Sequence, residues 1–211
     1  MTPADIERPR FARMYLRSAA SAEERGATDH RRRLVAGLQG TVVEVGAGHG
    51  LNFPLYPPDV TEVVAIEPER TLRSQAEIAA KSASAPIRVL AGVAEELPLA
   101  DESADAVVAS LVLCSVPDQP RAFAEIRRVL RPEGELRFYE HVMAREPRYA
   151  RFQRLAGRVT PHLAGGCHPD RDTGRAIEQA GFTIERCRRF MFRTSLLDLP
   201  VAPRILGVAR S

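Results

Sequence analysis

Residues 42–50 read VVEVGAGHG, an apolar run that leads directly into three glycines, each separated from the next by one residue. A short β-branched run of this kind predicts a strand buried on both faces. Glycines let a ligand approach the backbone closely, and the free N–H groups of such a loop bind a carboxylate or phosphate. A plain structural turn after a strand is the alternative interpretation, so the loop alone does not define a ligand.

A second apolar run, which ends in an acidic residue, follows this loop. Residues 63–66 read VVAI and are followed by Glu67, roughly 20 residues after Gly46. An acid at this place accepts the hydroxyls of a ribose, which makes ribose binding a better interpretation than a surface carboxylate. The dinucleotide fingerprint needs glycine or alanine at position 51, where this chain has Leu51. Glu44 also suits a cationic amino group better than a pyrophosphate.

Short apolar runs alternate with helix-like stretches along most of the chain. This alternation favours a parallel sheet with right-handed crossovers. Two helices, interrupted near Gly26, are predicted before the first strand, and residues 143–172 lack strong periodicity and are predicted to form a lid or substrate loop. The predicted strands are 41–45, 62–66, 87–90, 106–113, 135–139, 182–192 and 204–209, and the main predicted helices are 69–81, 121–130 and 173–180.

Length and charge limit the classes of protein. A chain of 211 residues with 45% hydrophobic residues buries one substantial core, so we expect one domain over residues 1–211, with a helical cap over 1–40 and the lid insert over 143–172. The 30 basic and 27 acidic residues nearly balance, which is weak support for a nucleic-acid partner. The run Arg31-Arg32-Arg33 is interpreted as a solvated helix face.

Cysteine usage and hydropathy predict the cellular compartment of the protein. The three cysteines are widely spaced and form no CxxC pair, which favours a reduced cytosolic environment. No stretch approaches the length needed to span a bilayer. We therefore expect a cytoplasmic monomer or homodimer without a stable membrane anchor. Cys167 beside His168 lacks two further ligands at plausible spacing, so no metal site is expected, and Cys114 is interpreted as a small buried hydrophobe.

Several motifs outside the glycine loop point to a family. Residues 44–50, 67–68, 94–98 and 105–108 together resemble the class I S-adenosylmethionine-dependent methyltransferases, within them the methyltransferase-type-11 and ubiquinone/menaquinone methyltransferase-like group. The run LVLCSV at 111–116, with residues 129–134, 140–142, 166–167, 171–173 and 199–203, resembles the methyltransferase-like proteins that include mammalian alkyl-thiol methyltransferases. The resemblance implies a doubly wound α/β Rossmann-like fold with a seven-stranded, mostly parallel sheet, helices on both faces and an antiparallel last strand.

The resemblance also implies a cofactor, S-adenosylmethionine, which becomes S-adenosylhomocysteine. Gly46, Ala47 and Gly48 would line its methionine part, Glu67 would hold the ribose, and Leu111 would lie near the sulfonium. Many relatives have aspartate where this chain has Val93, so adenine recognition would depend on Glu95. The predicted cofactor-binding residues are Glu44, Gly46, Ala47, Gly48, Asn52, Glu67, Pro68, Val93, Ala94, Glu95, Ser110 and Leu111.

Methyl transfer from a sulfonium is an in-line displacement that depends mainly on positioning and on the exclusion of water. If the acceptor is a thiol, a group that lowers the thiol pKa would help, and His141 is the first candidate. A structural role for His141 is the alternative, and His162 or His168 could serve instead. Phe11 and Tyr15 are candidates to cover the acceptor pocket, although packing explains an amphipathic helix equally well.

Several functions remain open at this point. The resemblance favours a small-molecule acceptor, with a thiol as one candidate and quinone, phenol or lipid-amine methylation as the strongest alternative. An NAD(P)-dependent oxidoreductase is disfavoured by Leu51, and a cofactor-binding protein without catalysis would need a defect in the cofactor site. Nucleic-acid amine methylation is disfavoured because residues 110–113 read SLVL and lack an Asn/Asp-Pro-Pro-aromatic motif.

Overall fold

A computed structural model describes residues 7–211 of the chain, so residues 1–6 of the predicted cap lie outside the described residues. The helices are α1 (Pro9–Ala22), α2 (Thr28–Val35), α3 (Arg70–Ala80), α4 (Gln119–Val129), α5 (Pro147–Ala156), α6 (Thr160–Leu163) and α7 (Thr173–Gln179). The strands are β1 (Gly40–Val45), β2 (Val60–Ile66), β3 (Ile87–Leu90), β4 (Ala104–Ser110), β5 (Leu130–His141), β6 (Thr183–Met191) and β7 (Pro203–Arg210).

The strands form one seven-stranded sheet in the order β3-β2-β1-β4-β5-β7-β6. Strands β1 to β5 are parallel to one another, and β7 runs antiparallel to both β5 and β6. The prediction of a mostly parallel, doubly wound sheet with an antiparallel last strand is confirmed. The strand order reverses between β1 and β4, and ligands of such sheets bind beyond the carboxyl ends of the strands at this switch point.

Alternate residues of each central strand pack into two separate cores. Val43 and Val45 of β1 belong to one core, whereas Val42 belongs to the other, and all three side chains are almost completely buried. Each buried valine contributes roughly 1.5–3 kcal/mol relative to an exposed one. Burial on both faces explains why the central strands have continuous apolar runs.

Two predicted boundaries differ from the structure. The strand predicted to reach residue 113 ends at Ser110, because Leu111 adopts a left-handed conformation with φ of 59° and its N–H donates to the carbonyl of Tyr139. The strand predicted to begin at residue 135 begins at Leu130, so residues 131–134 follow the end of α4 as predicted but form an irregularity within β5. The pairing with β4 shifts there, and Glu133 has φ of 66°.

The N-terminal helices α1 and α2 are separated at Gly26, which has φ of 99°, as the sequence predicts. The interpretation of the arginine run is wrong for Arg31, which is buried and pairs with Glu23 at 3.0 Å, while Arg32 and Arg33 are exposed. No helix among residues 7–211 is long and apolar enough to cross a membrane.

The insert over residues 143–172 has more order than its weak periodicity suggested, because it contains α5 and α6. The fully buried Gln153 of α5 fixes it to the rest of the chain. Its amide nitrogen donates to the carbonyls of Val142, Pro169 and Pro200, and its amide oxygen accepts from the N–H of Ala144. The insert is therefore packed onto the domain through buried hydrogen bonds.

Candidate active site

A cavity of about 270 Å³ opens at the carboxyl ends of the central strands. Strands β2, β1, β4 and β5 are neighbours in this order, so the residues that follow them lie in the same order along one edge of the sheet. The cavity is lined by ten predicted site residues, Gly46, Gly48, Glu67, Pro68, Val93, Ala94, Glu95, Ser110, Leu111 and His141. The structure therefore brings together residues that span almost a hundred positions of sequence.

The glycine loop needs glycine for two physical reasons. Gly46 and Gly48 have φ of 64° and 59°, a left-handed conformation that other residues adopt at a cost. A Cβ added to Gly46 would lie 2.4 Å from Cγ2 of Val112, so even alanine would displace the neighbouring loop. The backbone N–H of Gly48 donates to Oε2 of Glu67 at 2.8 Å, which connects the loop to the next strand.

Gly46→Ala is expected to lower both stability and cofactor affinity. The left-handed backbone and the contact with Val112 together should reduce the free energy of unfolding by about 2–4 kcal/mol and weaken S-adenosylmethionine binding at least tenfold. Gly37→Ala is a matched control, because Gly37 has φ of 73° but has no atom within 4 Å of an added Cβ. Thermal unfolding and calorimetry would measure both changes; equal losses in the two variants would contradict a role for the Val112 contact.

Glu67 lies directly after β2, and its carboxylate is 5% exposed. Oε2 accepts from the N–H of Gly48 and Oε1 accepts from the N–H of Glu69, both at 2.8 Å. Burial raises the pKa of Glu67 to about 7, although the two backbone donors favour the ionised form. Each carboxylate oxygen retains a free lone-pair direction, so both remain able to accept a hydroxyl from the cavity.

Three predicted cofactor residues, Glu44, Ala47 and Asn52, do not line the cavity. The carboxylate of Glu44 is 1% exposed and accepts from Nδ2 of Asn52 and from the hydroxyl of Tyr56, both at 2.7 Å. The hypothesis that Glu44 binds the cationic amino group directly does not agree with this geometry. The buried triad of Glu44, Asn52 and Tyr56 instead connects β1 to the segment that follows the glycine loop.

Residues 93–95 form another part of the cavity wall. Val93 makes an isolated antiparallel bridge with Glu96, which gives this segment a fixed turn. The side chain of Glu95 is 5% exposed, and its Oε1 accepts from the N–H of Asp118 at 3.2 Å. The other oxygen makes no hydrogen bond with residues 7–211, and because Glu95 lines the cavity its carboxylate suits the amino group of a purine.

Glu140, to which the sequence argument gave no role, organises the loop after β4. Its fully buried carboxylate accepts from the N–H groups of Val112 at 3.0 Å, Leu113 at 2.9 Å and Cys114 at 3.1 Å. Burial raises the pKa of Glu140 to about 7, while the three donors act in the opposite direction. The signal available in the sequence was an acid at the end of an otherwise apolar strand.

A second residue that sequence reasoning missed, Arg171, holds the same loop from the other side. Its guanidinium donates to the carbonyl oxygens of Leu113 at 3.4 Å, Cys114 at 3.2 Å and Val116 at 2.6 Å. The backbone N–H of His168 donates to the carbonyl of Cys114 at 2.9 Å. The end of the 143–172 insert is therefore bound to the loop that borders the cavity.

His141 is the only one of the three histidine candidates that lines the cavity, since His162 and His168 lie outside its wall. Nδ1 of His141 lies 3.5 Å from the sulfur of Cys114 and 3.3 Å from the sulfur of Cys167. A hydrogen bond with Cys114, together with the charge of His141, lowers the pKa of Cys167 below its usual value. The same hydrogen bond and burial raise the pKa of Cys114.

The reason given against a metal site, that Cys167 lacks further ligands, does not hold in the folded chain. The sulfur of Cys167 lies 3.5 Å from that of Cys114, and the ligand atoms of Cys114, His141 and Cys167 are all within 4.8 Å of one another. Both cysteines are buried, whereas the third cysteine, Cys187, is exposed. Residues far apart in sequence form this cluster, which the search of neighbouring positions could not detect.

Helix α1 covers the cavity with the two aromatic residues that the sequence singled out. Phe11 and Tyr15 both line it, and their rings stack at 5.7 Å between centroids. An added Cβ at Gly165 would lie 2.4 Å from the Phe11 ring, so the helix fits closely against the end of the insert. Aromatic and other apolar side chains, among them Phe11, Tyr15 and Val112, therefore form much of the cavity wall.

This fold, with a glycine loop after β1 and a buried acid after β2, defines an S-adenosylmethionine-dependent methyltransferase of the Rossmann-like class. Residues 43–138 match the family described as Methyltransferase domain. A solved S-adenosylmethionine-dependent methyltransferase of Thermotoga maritima superposes with a TM-score of 0.71 and 23% identity, covering 95% of this chain and 96% of that one. This likeness supports the fold.

The sequence relatives are more specific. The chain is 36% identical over 178 residues to thiol S-methyltransferase TMT1B of Rattus norvegicus, covering 80% of this chain and 70% of the relative. It is also 36% identical over 147 residues to human thiol S-methyltransferase TMT1A, covering 68% of this chain and 60% of the relative. The chain therefore belongs to the S-adenosylmethionine-dependent methyltransferase family, and the resemblance seen in the sequence is confirmed.

Proposed function

We propose that this methyltransferase transfers the methyl group of S-adenosylmethionine to a small thiol. The observation that carries the proposal is the composition of the cavity wall, which holds His141 and Cys167 together with apolar side chains such as Val112, Val116 and Val201. A small hydrophobic acceptor suits this wall. The relatives named thiol S-methyltransferases support a sulfur acceptor over the quinone, phenol and lipid-amine alternatives.

The cofactor is proposed to lie along the sheet edge from Glu95 to Leu111. Glu67 accepts the ribose hydroxyls, Pro68 and Ala94 pack against the nucleoside, and the backbone of Gly46 and Gly48 contacts the methionine part. Glu95 supplies a carboxylate oxygen to the adenine amino group, in place of the aspartate that Val93 replaces. Ser110 and Leu111 then lie beside the sulfonium, since they are at the carboxyl end of β4, which pairs with the strand that leads into the glycine loop.

The chemistry requires little from side chains besides position and charge. The acceptor sulfur attacks the methyl carbon, and the carbon–sulfonium bond breaks with its electron pair left on the cofactor sulfur. The positive charge of the cofactor disappears in this step, so a dry cavity favours the reaction. A thiolate is far more nucleophilic than a thiol, and His141, in the cavity wall, is the residue proposed to favour the thiolate form of the acceptor.

The test is a comparison of acceptors. Purified protein with S-adenosylmethionine is supplied with alkyl thiols, quinols, phenols and ethanolamine headgroup lipids at equal concentration, and S-adenosylhomocysteine formation is measured. We expect turnover with alkyl thiols at least tenfold above that with every other class. Turnover confined to quinols or amines would overturn the thiol assignment and leave the methyltransferase class intact.

Cofactor affinity is expected to depend on pH through Glu67. The raised pKa of about 7 means that the ionised acceptor form is present above pH 7 and is lost as the pH falls. Binding of S-adenosylmethionine should therefore weaken about tenfold between pH 8 and pH 6. Calorimetry at the two pH values measures this change, and Glu67→Gln is the control, because an amide does not titrate. An equal pH dependence in both proteins would assign it to another group.

Other features stay predictions. A cytoplasmic setting rests on the cysteine pattern, and the monomeric or homodimeric state and the absence of a nucleic-acid partner rest on composition. The single-domain organisation, with a helical cap over 1–40 and a lid or substrate loop over 143–172, also stays a prediction; the close fit of Phe11 in α1 against Gly165 of the insert, both at the cavity, supports it.

A further inference from the structure

Cys114, His141 and Cys167 form a cluster whose dimensions match a metal site. The two sulfurs are 3.5 Å apart, and Nδ1 of His141 lies 3.5 and 3.3 Å from them. Tetrahedral zinc with ordinary Zn–S and Zn–N bonds separates two sulfurs by about 3.8 Å and a sulfur from a nitrogen by about 3.6 Å. The three observed separations lie within about 0.3 Å of these values.

The composition of the cluster also suits zinc. Two thiolates neutralise a divalent cation, and the neutral imidazole adds a third ligand without further charge. The ligands come from two separate loops and a strand end, and each is fixed in place. Glu140 and Arg171 hold the backbone of Cys114, and the N–H of Cys167 donates to the carbonyl of Ala164 at 3.0 Å.

Among residues 7–211, the sulfurs are the only hydrogen-bond partners of the His141 ring. Nδ1 faces both sulfurs, whereas the buried Nε2 has no partner in this part of the chain. A histidine in a structural role commonly directs a ring nitrogen to a backbone or carboxylate group, whereas Nδ1 of His141 faces two thiols. The orientation of the ring toward two thiols is therefore better explained by a shared ligand.

We infer that Cys114, His141 and Cys167 bind a zinc ion whose fourth position, on the cavity side, takes the sulfur of the thiol acceptor. His141 and Cys167 line the cavity, so an ion held by them is accessible from it. Three protein ligands with one open position are typical of catalytic rather than structural zinc. This inference rests on the proposed thiol methylation and names the group that activates the acceptor.

The step balances without a redox change. The thiol binds zinc through its sulfur, and its proton leaves to solvent because a coordinated thiol is deprotonated. A lone pair of that sulfur then forms a bond to the methyl carbon, and the carbon–sulfonium bond of the cofactor breaks. The products are a thioether, S-adenosylhomocysteine and one proton, and zinc stays divalent. The neutral thioether is a weaker ligand than the thiolate and dissociates.

The first measurement is metal binding by the tag-free, reduced protein. After chelator treatment and dialysis against zinc, we expect one zinc per chain by elemental analysis in the wild type and in Cys187→Ser, whose exposed cysteine is the matched control. Cys114→Ser, Cys167→Ser and His141→Ala should each bind zinc at least about 100-fold more weakly, since even outer-shell changes cost 10–100-fold. Cobalt in the wild type should give thiolate charge-transfer bands and tetrahedral d–d bands, a readout that needs no variant.

The second measurement is thiol methylation by the zinc-free and the zinc-loaded protein. We expect a fall of at least tenfold on zinc removal and recovery on its return. Zinc binding without any thiol turnover would overturn the proposed acceptor while the metal site stands. Thiol turnover that is unchanged by zinc removal, or the failure of the reduced protein to take up zinc, would overturn the inferred metal and leave thiol methylation intact.

Discussion

Glu67→Ala is expected to abolish most of the affinity for S-adenosylmethionine while the protein remains folded. Two hydrogen bonds from ribose hydroxyls to a buried carboxylate are worth about 1.5–3 kcal/mol each, so their loss should weaken binding at least about 100-fold. The side chain is buried in the cavity wall and does not belong to either apolar core. Calorimetric titration with the cofactor measures the affinity, and circular dichroism checks the fold.

Glu62→Ala is the matched control, because Glu62 lies on the same strand and is also an acid, but its side chain is 38% exposed and pairs with Arg88 at the surface. We expect its cofactor affinity to stay within about twofold of the wild type. The Glu67 variant also loses the bonds to the N–H groups of Gly48 and Glu69, so a modest fall in thermal stability is expected. Unchanged affinity in Glu67→Ala would remove the ribose assignment.

The sequence predicted the parts of the site that depend on local pattern. The glycine loop and Glu67 each follow a strand with an unmistakable apolar run, and the strands of a parallel sheet end at the same edge. Their proximity therefore followed from the alternation of strands and helices. The spacing of the glycines and the presence of Leu51 argued against a dinucleotide, and both can be read from a few consecutive residues.

The direction of a side chain was harder to predict than its position. Glu44 lies two residues before Gly46, yet it shares the face of Val42 and not that of Val43 and Val45, because residues alternate across a strand. The sequence shows that residues 42–45 alternate between two faces of the strand, but it does not show which face belongs to the cavity. The structure shows that the face of Glu44 packs against the second core, which contains Tyr56.

Contacts between distant segments could not be predicted from local sequence pattern. The Cys114–His141–Cys167 cluster joins the loop after β4, the end of β5 and the end of the insert, and it depends on a left-handed turn at Leu111 inside an apolar run. An apolar run of this kind predicts a longer strand, so the sequence extended β4 to residue 113. Tertiary hydrogen bonds hold this turn, and their partners are too far apart in sequence for a local pattern to predict them.

Glu140→Ala should have the largest effect on stability among the single changes considered. Removal of the carboxylate leaves the N–H groups of Val112, Leu113 and Cys114 without their acceptor, and Leu113 and Cys114 are completely buried. An unsatisfied buried donor costs about 1–3 kcal/mol, so we expect the free energy of unfolding to fall by about 3 kcal/mol or more. Denaturant unfolding followed by circular dichroism measures this loss.

Glu140→Gln separates the hydrogen bonds from the volume of the side chain. The amide keeps one acceptor oxygen but turns an NH₂ group toward a backbone donor, so we expect a loss between that of the alanine variant and the wild type. Glu185→Ala is the control, because its exposed carboxylate pairs with Arg210 at the surface and should change stability by less than about 1 kcal/mol. Because Glu140 sets the backbone position of Cys114, the glutamine variant should also raise the KM for the thiol more than it weakens cofactor binding. Equal stability of all three variants would show that water replaces the carboxylate and that Glu140 does not hold the loop.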